Sequence, residues 1–370
     1  MQHLTRTNVG RWTVPVLVAL CVGGPARAAD RKQIESGVRT SYPSILASWA
    51  AGDSETALTR LAELERRLVG PDFAPADIEA LWKAKLGVLR DLMGEVGEDV
   101  LVPIMLLHHD AYLEYRLLDL PILAQHSRVM AEELAAFYAD KRQDQASARG
   151  VAASLLTSLG GHLQQGWSWK HSAELFSRAT EIYARSDAAH LGLGALYERR
   201  AELPEAVEHF REAVSINSDN QEARLRLGVC LKREGDSAGA RTELSRLVDS
   251  GAPDWIDVIA SEELAALTAD GGGDPEALLE AARRRHPDSS RLAIQLARWL
   301  DSQGRGPEAE GLLEDAFLRD GSESESPRYR YNRWSTTELE TVRQELREAA
   351  AGRQPLLASA VEGLSVQGAP

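Results

Sequence analysis

The sequence predicts an all-α protein in which helix–turn–helix units are stacked side by side. Three observations carry that reading. One set of apolar and small residues recurs through the second half of the chain at a period of about 34 residues. Alanine, leucine, glutamate and arginine dominate the periodic segments, proline is sparse there, and this composition favours helix. No stretch alternates β-branched residues for long enough to make a strand. With 370 residues the chain has room for two domains or one long solenoid. Its 26% charged and 44% hydrophobic residues are ordinary for a soluble globular protein.

The clearest unit runs from Asp187 to Asn220. It reads as two amphipathic helices joined by a turn near Ala201–Leu203, with Pro204 at the start of the second. Leu193, Tyr197 and Phe210 are expected to fill the space between the helices. Gly194 and Ala206 are small because the helices cross there, where a larger side chain would hold them apart. Ala213 lies where the next unit must dock. One period forward the pattern returns as Leu227, Gly228, Leu231, Gly235, Ala240, Leu244 and Leu247. One period back it is Leu159, Gly160, Leu163, Ser172, Phe176 and Ala179. Leu296, Ala297, Leu300, Gly304, Ala309, Leu313 and Ala316 fit the same template. A degenerate unit stands between, with Gly271–Gly273 in its turn, Pro275 opening its second helix, and an early end at His286-Pro287.

These residue types at these offsets resemble the tetratricopeptide repeat, and about five such units cover roughly 153–320. The resemblance implies a solenoid whose first helices line a concave surface for extended peptides or helices. Carried onto this chain, that surface includes Thr157 and Gln164 in one unit, Leu191, Ala195 and Glu198 in the next, and Leu225, Val229 and Lys232 in the third. The branch of the family that grips a C-terminal carboxylate uses lysine and asparagine at such places, where this sequence has leucine, alanine and valine. A largely apolar groove flanked by charge suits an amphipathic helix or an apolar peptide. The expected function is therefore protein–protein interaction, as a scaffold or adaptor whose partner is another protein or peptide. The oligomeric state is left open, and the protein's own segments filling the groove is the competing expectation.

From the N-terminus, Arg6 and Arg11 precede a mostly apolar run from Trp12 to Gly24, too short to span a bilayer as an ordinary helix. Ala26-Arg27-Ala28 supplies small residues at both positions a signal peptidase reads. Residues 1–28 are expected to be a signal peptide cleaved after Ala28, placing the mature protein in the periplasm of a two-membrane bacterium or outside the cell. A lipoprotein reading through Cys21 is disfavoured by the bulky Leu20. Cleavage removes three arginines and no acid, so the mature chain is more acidic than the formal −14 of the whole. Such a chain is not expected to hold nucleic acid or an anionic membrane, nor to insert stably in a membrane once the leader is gone. Cys230 alone remains, mid-helix between Val229 and Leu231, and it reads as a buried small hydrophobe rather than a catalytic thiol.

Residues 29–150 read as a helical region, a bundle or diverged repeats. Ile34, Val38, Ile45 and Trp49 suggest a first helix broken at Pro43. Gly52-Asp53-Ser54 caps a second, with Ala57, Leu61, Leu64 and Leu68, ending at Gly70-Pro71. Pro75 opens a third through Ile78, Trp82, Leu86 and Leu89. Two apolar helices follow at 101–117 and 121–141, and the polar stretch 141–150 joins them to the array of 151–320. Beyond it lie the linker GSESESP (321–327), a capping helix from Ser335 through Leu346, and a tail, together 321–370.

Candidate chemistry is sparse. His108, His109 and Asp110, with His126 on the next helix, could gather a metal, but adjacent histidines on a helix point about 100° apart and no His-Glu-x-x-His motif occurs. His109 or His126 is expected to fill a polar hole, bonded to Tyr112 or Asp110. The alternative function is a metal-dependent protein or enzyme with a site at 100–165 built on His109, His126 and His162. No cofactor motif is present, since Gly271–Gly273 lacks the lysine and serine of a phosphate loop. Trp167 and Trp169 are expected to pack their indoles on helix 121–141. The interleaved Arg328-Tyr329-Arg330-Tyr331-Asn332-Arg333-Trp334 reads as a solvated linker.

Overall fold

The computed structural model describes residues 31–69, 83–91, 101–165, 168–248, 250–287, 289–309 and 311–312. The expected leader, the start of the third helix at Pro75–Trp82, Trp167, and the linker, capping helix and tail of 321–370 lie outside the described residues. The described residues contain helices and turns and no strand. They form two compact units, divided at Leu155/Leu156.

The first unit contains α1 (Arg31–Ala50), α2 (Ser54–Val69), α3 (83–91), α4 (Leu101–Leu117) and α5 (Pro121–Lys141). In α1, Ile34, Val38, Tyr42 and Ile45 recur at helical spacing and all are buried. They meet Ala57, Leu61, Leu64 and Leu68 of α2. The expected break at Pro43 is corrected: α1 runs unbroken through it. Pro43 sits on the exposed face, where water can reach the carbonyl left without its helical donor. Two bonds tie α4 to the first hairpin: Trp49 Nε1 donates to Asp110 Oδ2 at 2.8 Å and Tyr115 Oη to the Leu58 carbonyl at 3.2 Å.

The division falls within α6 (Ala146–Gln165); the polar stretch read as a join is helical from Ala146. The second unit continues with α7 (Trp169–Ile182), α8 (Asp187–Arg199), α9 (Leu203–Ile216), α10 (Gln221–Glu234), α11 (Ser237–Ser245), α12 (Asp254–Asp270), α13 (Glu276–Arg285) and α14 (Ser290–Ser302), with a further helical segment from 306. Each hairpin packs on itself and on the next. Side-chain oxygens of Ser186, Asn220 and Asp236 cap α8, α10 and α11. The first helices end in a common step. Glu202 N bonds the Tyr197 carbonyl, Asp236 N that of Leu231, Gly273 N that of Thr268 and Arg305 N that of Leu300, each within 2.9–3.0 Å. The residue before each donor is left-handed: Ala201 at φ 59°, Gly235 at 93°, Gly272 at 73° and Gly304 at 78°.

Packing follows the residue sizes. Phe210 is fully buried, and a β-carbon on Gly194 would stand 2.6 Å from its ring. A β-carbon on Gly228 would meet Leu244 at 2.7 Å. Phe176 lies between two hairpins, with Gly160 of α6 on one side and Gly192 of α8 on the other. Cys230 is fully buried in the same apolar cluster as Phe210, Leu227 and Leu244, and burial pushes its thiol well above the ordinary value.

Gly194→Ala should overpack the Phe210 contact and cost about 1–3 kcal/mol. Gly161→Ala, where a β-carbon meets open space, should be neutral or stabilise by up to about 1 kcal/mol. Ala201→Gly should stabilise by relieving a left-handed alanine. Urea unfolding midpoints check the order of the three.

Candidate interaction surface

The surface predicted from the repeat pattern lies on the first helices α6, α8, α10 and α12. The structure divides its residues into two sets. Leu225 is fully buried, Ala195 and Val229 are 5% and 8% exposed, and all three belong to the core cluster shared by α8–α12. Leu191 is half-buried and packs against that cluster. The first helices lie side by side, so apolar residues on their facing flanks are consumed by packing. Of the predicted residues, Thr157, Leu191, Glu198 and Lys232 keep part of their surface.

Charged side chains join successive first helices in a row. Arg226 Nη1 of α10 donates to Glu198 Oε2 of α8 at 2.8 Å. Lys232 Nζ of α10 donates to Glu263 Oε2 of α12 at 2.8 Å. Arg291 Nε of α14 donates to Glu262 Oε2 of α12 at 2.9 Å, and Gln295 Nε2 to Glu262 Oε1 at 2.8 Å. Arg233 stands 3.6 Å from Glu198 as well. Arg226, only 5% exposed at its side chain, is held by Glu198 and by Glu222 one turn back. Lys232 and Glu263, about a quarter exposed, and Arg233, 43% exposed, are the reachable members. The predicted site residues Glu198 and Lys232 thus belong to one row. Sequence reasoning missed its other half, although the signal was present: opposite charges recur 28, 31 and 29 residues apart, slightly less than one period. In α6, Thr157 is half-buried and Gln164 is 1% exposed with neither amide atom partnered.

A second concavity, of 740 Å³, is lined by Trp169, Ala173, Glu174, Arg178, Leu196 and Arg200 among others. Trp169 begins α7, packs against Phe176, Leu193 and Leu196, and carries the Arg199 guanidinium 4.0 Å above its ring. Its packing partners in the second unit are therefore residues of its own and the next hairpin.

The histidines of the first unit build a closed polar knot. Tyr42 of α1, Glu65 of α2, Lys85 of α3, His108 of α4 and His126 of α5 are all buried. Lys85 Nζ bonds Glu65 Oε1, Glu65 Oε2 lies 3.1 Å from His126 Nε2, and Tyr42 Oη lies 2.9 Å from His108 Nε2. Every helix of the unit contributes one side chain. Burial alone would raise the Glu65 carboxyl, but His126 and Lys85 beside it hold it well below its ordinary value. Burial drives His108 far down, helped by Lys85 and His126, and lowers His126 as well. Burial pushes Tyr42 up to about 12 against the pull of Lys85. The expected partners Tyr112 and Asp110 are corrected for His126, which faces Glu65; His109 does lie 3.3 Å from Asp110. His162 belongs to the second unit. Among the described residues, no three His, Cys, Asp or Glu side chains are placed to hold a metal ion together. Ser261, Asp257 and His286 do come together, with Asp257 Oδ2 2.6 Å from His286 Nε2 and Oδ1 3.4 Å from Ser261 Oγ. The carboxylate stands between the other two, so the imidazole is not placed to take the serine's proton, and Ser261 is fully buried. Burial would raise Asp257, but bonds from Arg285 and His286 hold it below the usual range. This cluster ties α12 to the end of α13.

Removing one charge of the knot should strand the other. Lys85→Met should cost about 3–5 kcal/mol, and Lys85→Met/Glu65→Leu should recover most of that loss. Glu65, His108 and His126 all have folded values below their unfolded ones, so their contribution is complete above those unfolded values. It is lost as pH falls, beginning below about 6.5 for the histidines and about 4.3 for Glu65. Thermal melts from pH 8 to 3 should show acid destabilisation in wild type; in the double variant the part beginning below about 4.3 should be absent and the histidines' part should remain.

A family model described as tetratricopeptide repeat matches residues 201–261, from the turn after α8 into α12. No curated protein matches the chain. Among solved structures, the tetratricopeptide protein YrrB, described as having an unusual peptide-binding site, is 18% identical, with 51% of this chain and 94% of that one covered at a TM-score of 0.40. PilW, described as a widely conserved type IV pilus biogenesis factor, is 19% identical, covering 58% and 93% at 0.43. A tetratricopeptide repeat protein from Parabacteroides merdae is 13% identical, covering 69% and 98% at 0.43. Over 201–261 this chain therefore carries tetratricopeptide repeat sequence, and the described helices of the second unit form hairpins stacked one on the next.

Proposed function

We propose that the chain is a protein–protein interaction scaffold, exported to the cell envelope, and that the row of first helices α8, α10, α12 and α14 holds a peptide or an amphipathic helix. The observation that carries this reading is the charged row itself. Its cations and carboxylates are already paired with one another, so the row is stable without a partner. Lys232, Arg233 and Glu263 remain reachable in part, and Leu191 of α8 is half-buried. A bound segment with side chains of both signs exchanges these intramolecular pairs for intermolecular ones, which favours register and specificity more than raw affinity. Leu191, Glu198, Lys232 and Thr157 of the predicted surface retain exposed area for such contact. Ala195, Leu225, Val229 and Gln164 set the spacing of the helices beneath.

Export rests on the leader pattern at 1–28. Among the described residues, no helix is long and apolar enough to cross a membrane. The acidic chain also disfavours nucleic acid as the partner.

A photo-crosslinking residue at Leu191 or Arg233 should capture the same discrete protein in the native cell. One at Glu205 or Arg211, exposed on α9, should not. Equal capture from both faces rejects the groove. N-terminal sequencing of the native protein should begin at Ala29, and recovery of intact Met1 from the cytosol rejects export.

A further inference from the structure

Two of the histidines outside the interaction surface and the polar knot meet in the second unit. His190 of α8 and His209 of α9 face each other across the hairpin, with their Nδ1 atoms 3.1 Å apart and ring centroids 5.4 Å apart. Both side chains are half-buried and so within reach of solvent. His190 Nε2 lies 3.1 Å from the Ala184 carbonyl. A carbonyl only accepts, so that nitrogen carries the proton and the His190 Nδ1 lone pair is free to face His209. Tyr197 stacks on the His209 ring at 5.3 Å and 9° and limits its rotation.

We propose that His190 and His209 form a two-imidazole site for a nitrogen-preferring divalent transition cation, such as zinc, nickel or copper. Four features point there. The nitrogens come from two different helices, and the hairpin's own packing fixes their separation. That separation is close to the ~3.3 Å edge between two nitrogens of a tetrahedral zinc site with Zn–N of about 2.0–2.1 Å. The remaining nitrogen of His190 already donates to a backbone carbonyl, the outer-shell bond that orients metal-bound imidazoles. The ligand type suits these cations rather than magnesium or calcium.

Without metal, His209 Nδ1–H donates a hydrogen bond to the His190 Nδ1 lone pair. On binding, that proton moves through solvent to His209 Nε2. Both rings then turn slightly to bring their Nδ1 lone pairs onto one ion, and no net proton is lost. Burial, and then His190, hold His209 below its ordinary value, against the pull of Glu208 and Glu212. No third ligating side chain joins the pair among the described residues. Water completes the shell, or Glu212, exposed one turn beyond His209, swings in. An ion there would staple α8 to α9 through their side chains, in the stretch where the repeat pattern is clearest.

The test titrates the mature chain with zinc and with nickel by calorimetry, and records the copper paramagnetic resonance spectrum for nitrogen coupling. Wild type should bind one equivalent, show two coupled nitrogens and melt higher with metal. His190→Gln and His209→Gln should each weaken binding at least tenfold and abolish the melting shift. Exposed His171→Ala should change neither. Metal-free melts of each variant show whether it is folded, and His190→Gln keeps the Tyr197 stack that His209→Gln disturbs. Absence of binding in wild type, wild-type binding in either glutamine variant, or loss in His171→Ala overturns the proposal.

Discussion

The second unit depends on one constraint: none of its hairpins can cover its apolar face alone. Phe176 makes the point at the scale of one side chain. Its ring belongs to α7, yet the space it occupies is left by Gly160 on α6 and Gly192 on α8. Remove either glycine's neighbourhood and the ring faces water. The same logic places Phe210 over Gly194 and Leu244 over Gly228. Stability in such an array is a sum of hairpin and nearest-neighbour terms rather than the property of one closed core. The charged row follows from this geometry. Once first helices lie side by side, charged side chains of successive helices that face each other must be opposite in sign or repel. The pairs Glu198–Arg226, Lys232–Glu263 and Glu262–Arg291 satisfy that condition.

The first unit solves its packing differently. Five helices converge on Tyr42, Glu65, Lys85, His108 and His126, and a buried ion pair lies among them. Such a pair adds little net stability compared with apolar residues of the same size, because desolvation offsets the attraction. Its effect is on selectivity among packings, since any arrangement that parts Lys85 from Glu65 leaves a buried charge unpaired. An apolar bundle of similar helices has no equivalent penalty against sliding. The knot also explains why these histidines are poor candidates for open chemistry. They are enclosed, and burial favours their neutral form against the pull of Glu65.

The stacked hairpins were legible in the sequence because their signal is local. Leu193, Gly194 and Tyr197 sit on one helix at fixed offsets, and the same offsets return one period later. Cys230 was legible for the same reason, between Val229 and Leu231. What escaped was mostly long-range. His126 meets Glu65 and Lys85, 61 and 41 residues away, and helical spacing carries no record of such encounters. Pro43 was read as a break because a proline removes a donor; whether that matters depends on which face it occupies, and α1 turns it to solvent. The groove was read as apolar from Leu225, Val229 and Ala195. Those residues do lie on first helices, but the neighbouring helix covers them, and a pattern within one repeat does not show where its neighbour lies. The mixed charges at Glu198 and Lys232 were seen, and their partners, one turn short of a full period, were not. His190 and His209 went unnoticed for the same reason, since they meet only when the hairpin closes.

The most direct measurement of the central claim is hydrogen exchange resolved along the second unit in wild type and in Phe176→Ala. Truncating this ring removes contacts to α6 and α8 together. The account predicts faster amide exchange in α6, α7 and α8, fading through α10, with α12 and α14 as protected as in wild type. A uniform loss of protection from α6 to α14 would show a single closed cooperative core, and would contradict an array held together by neighbours.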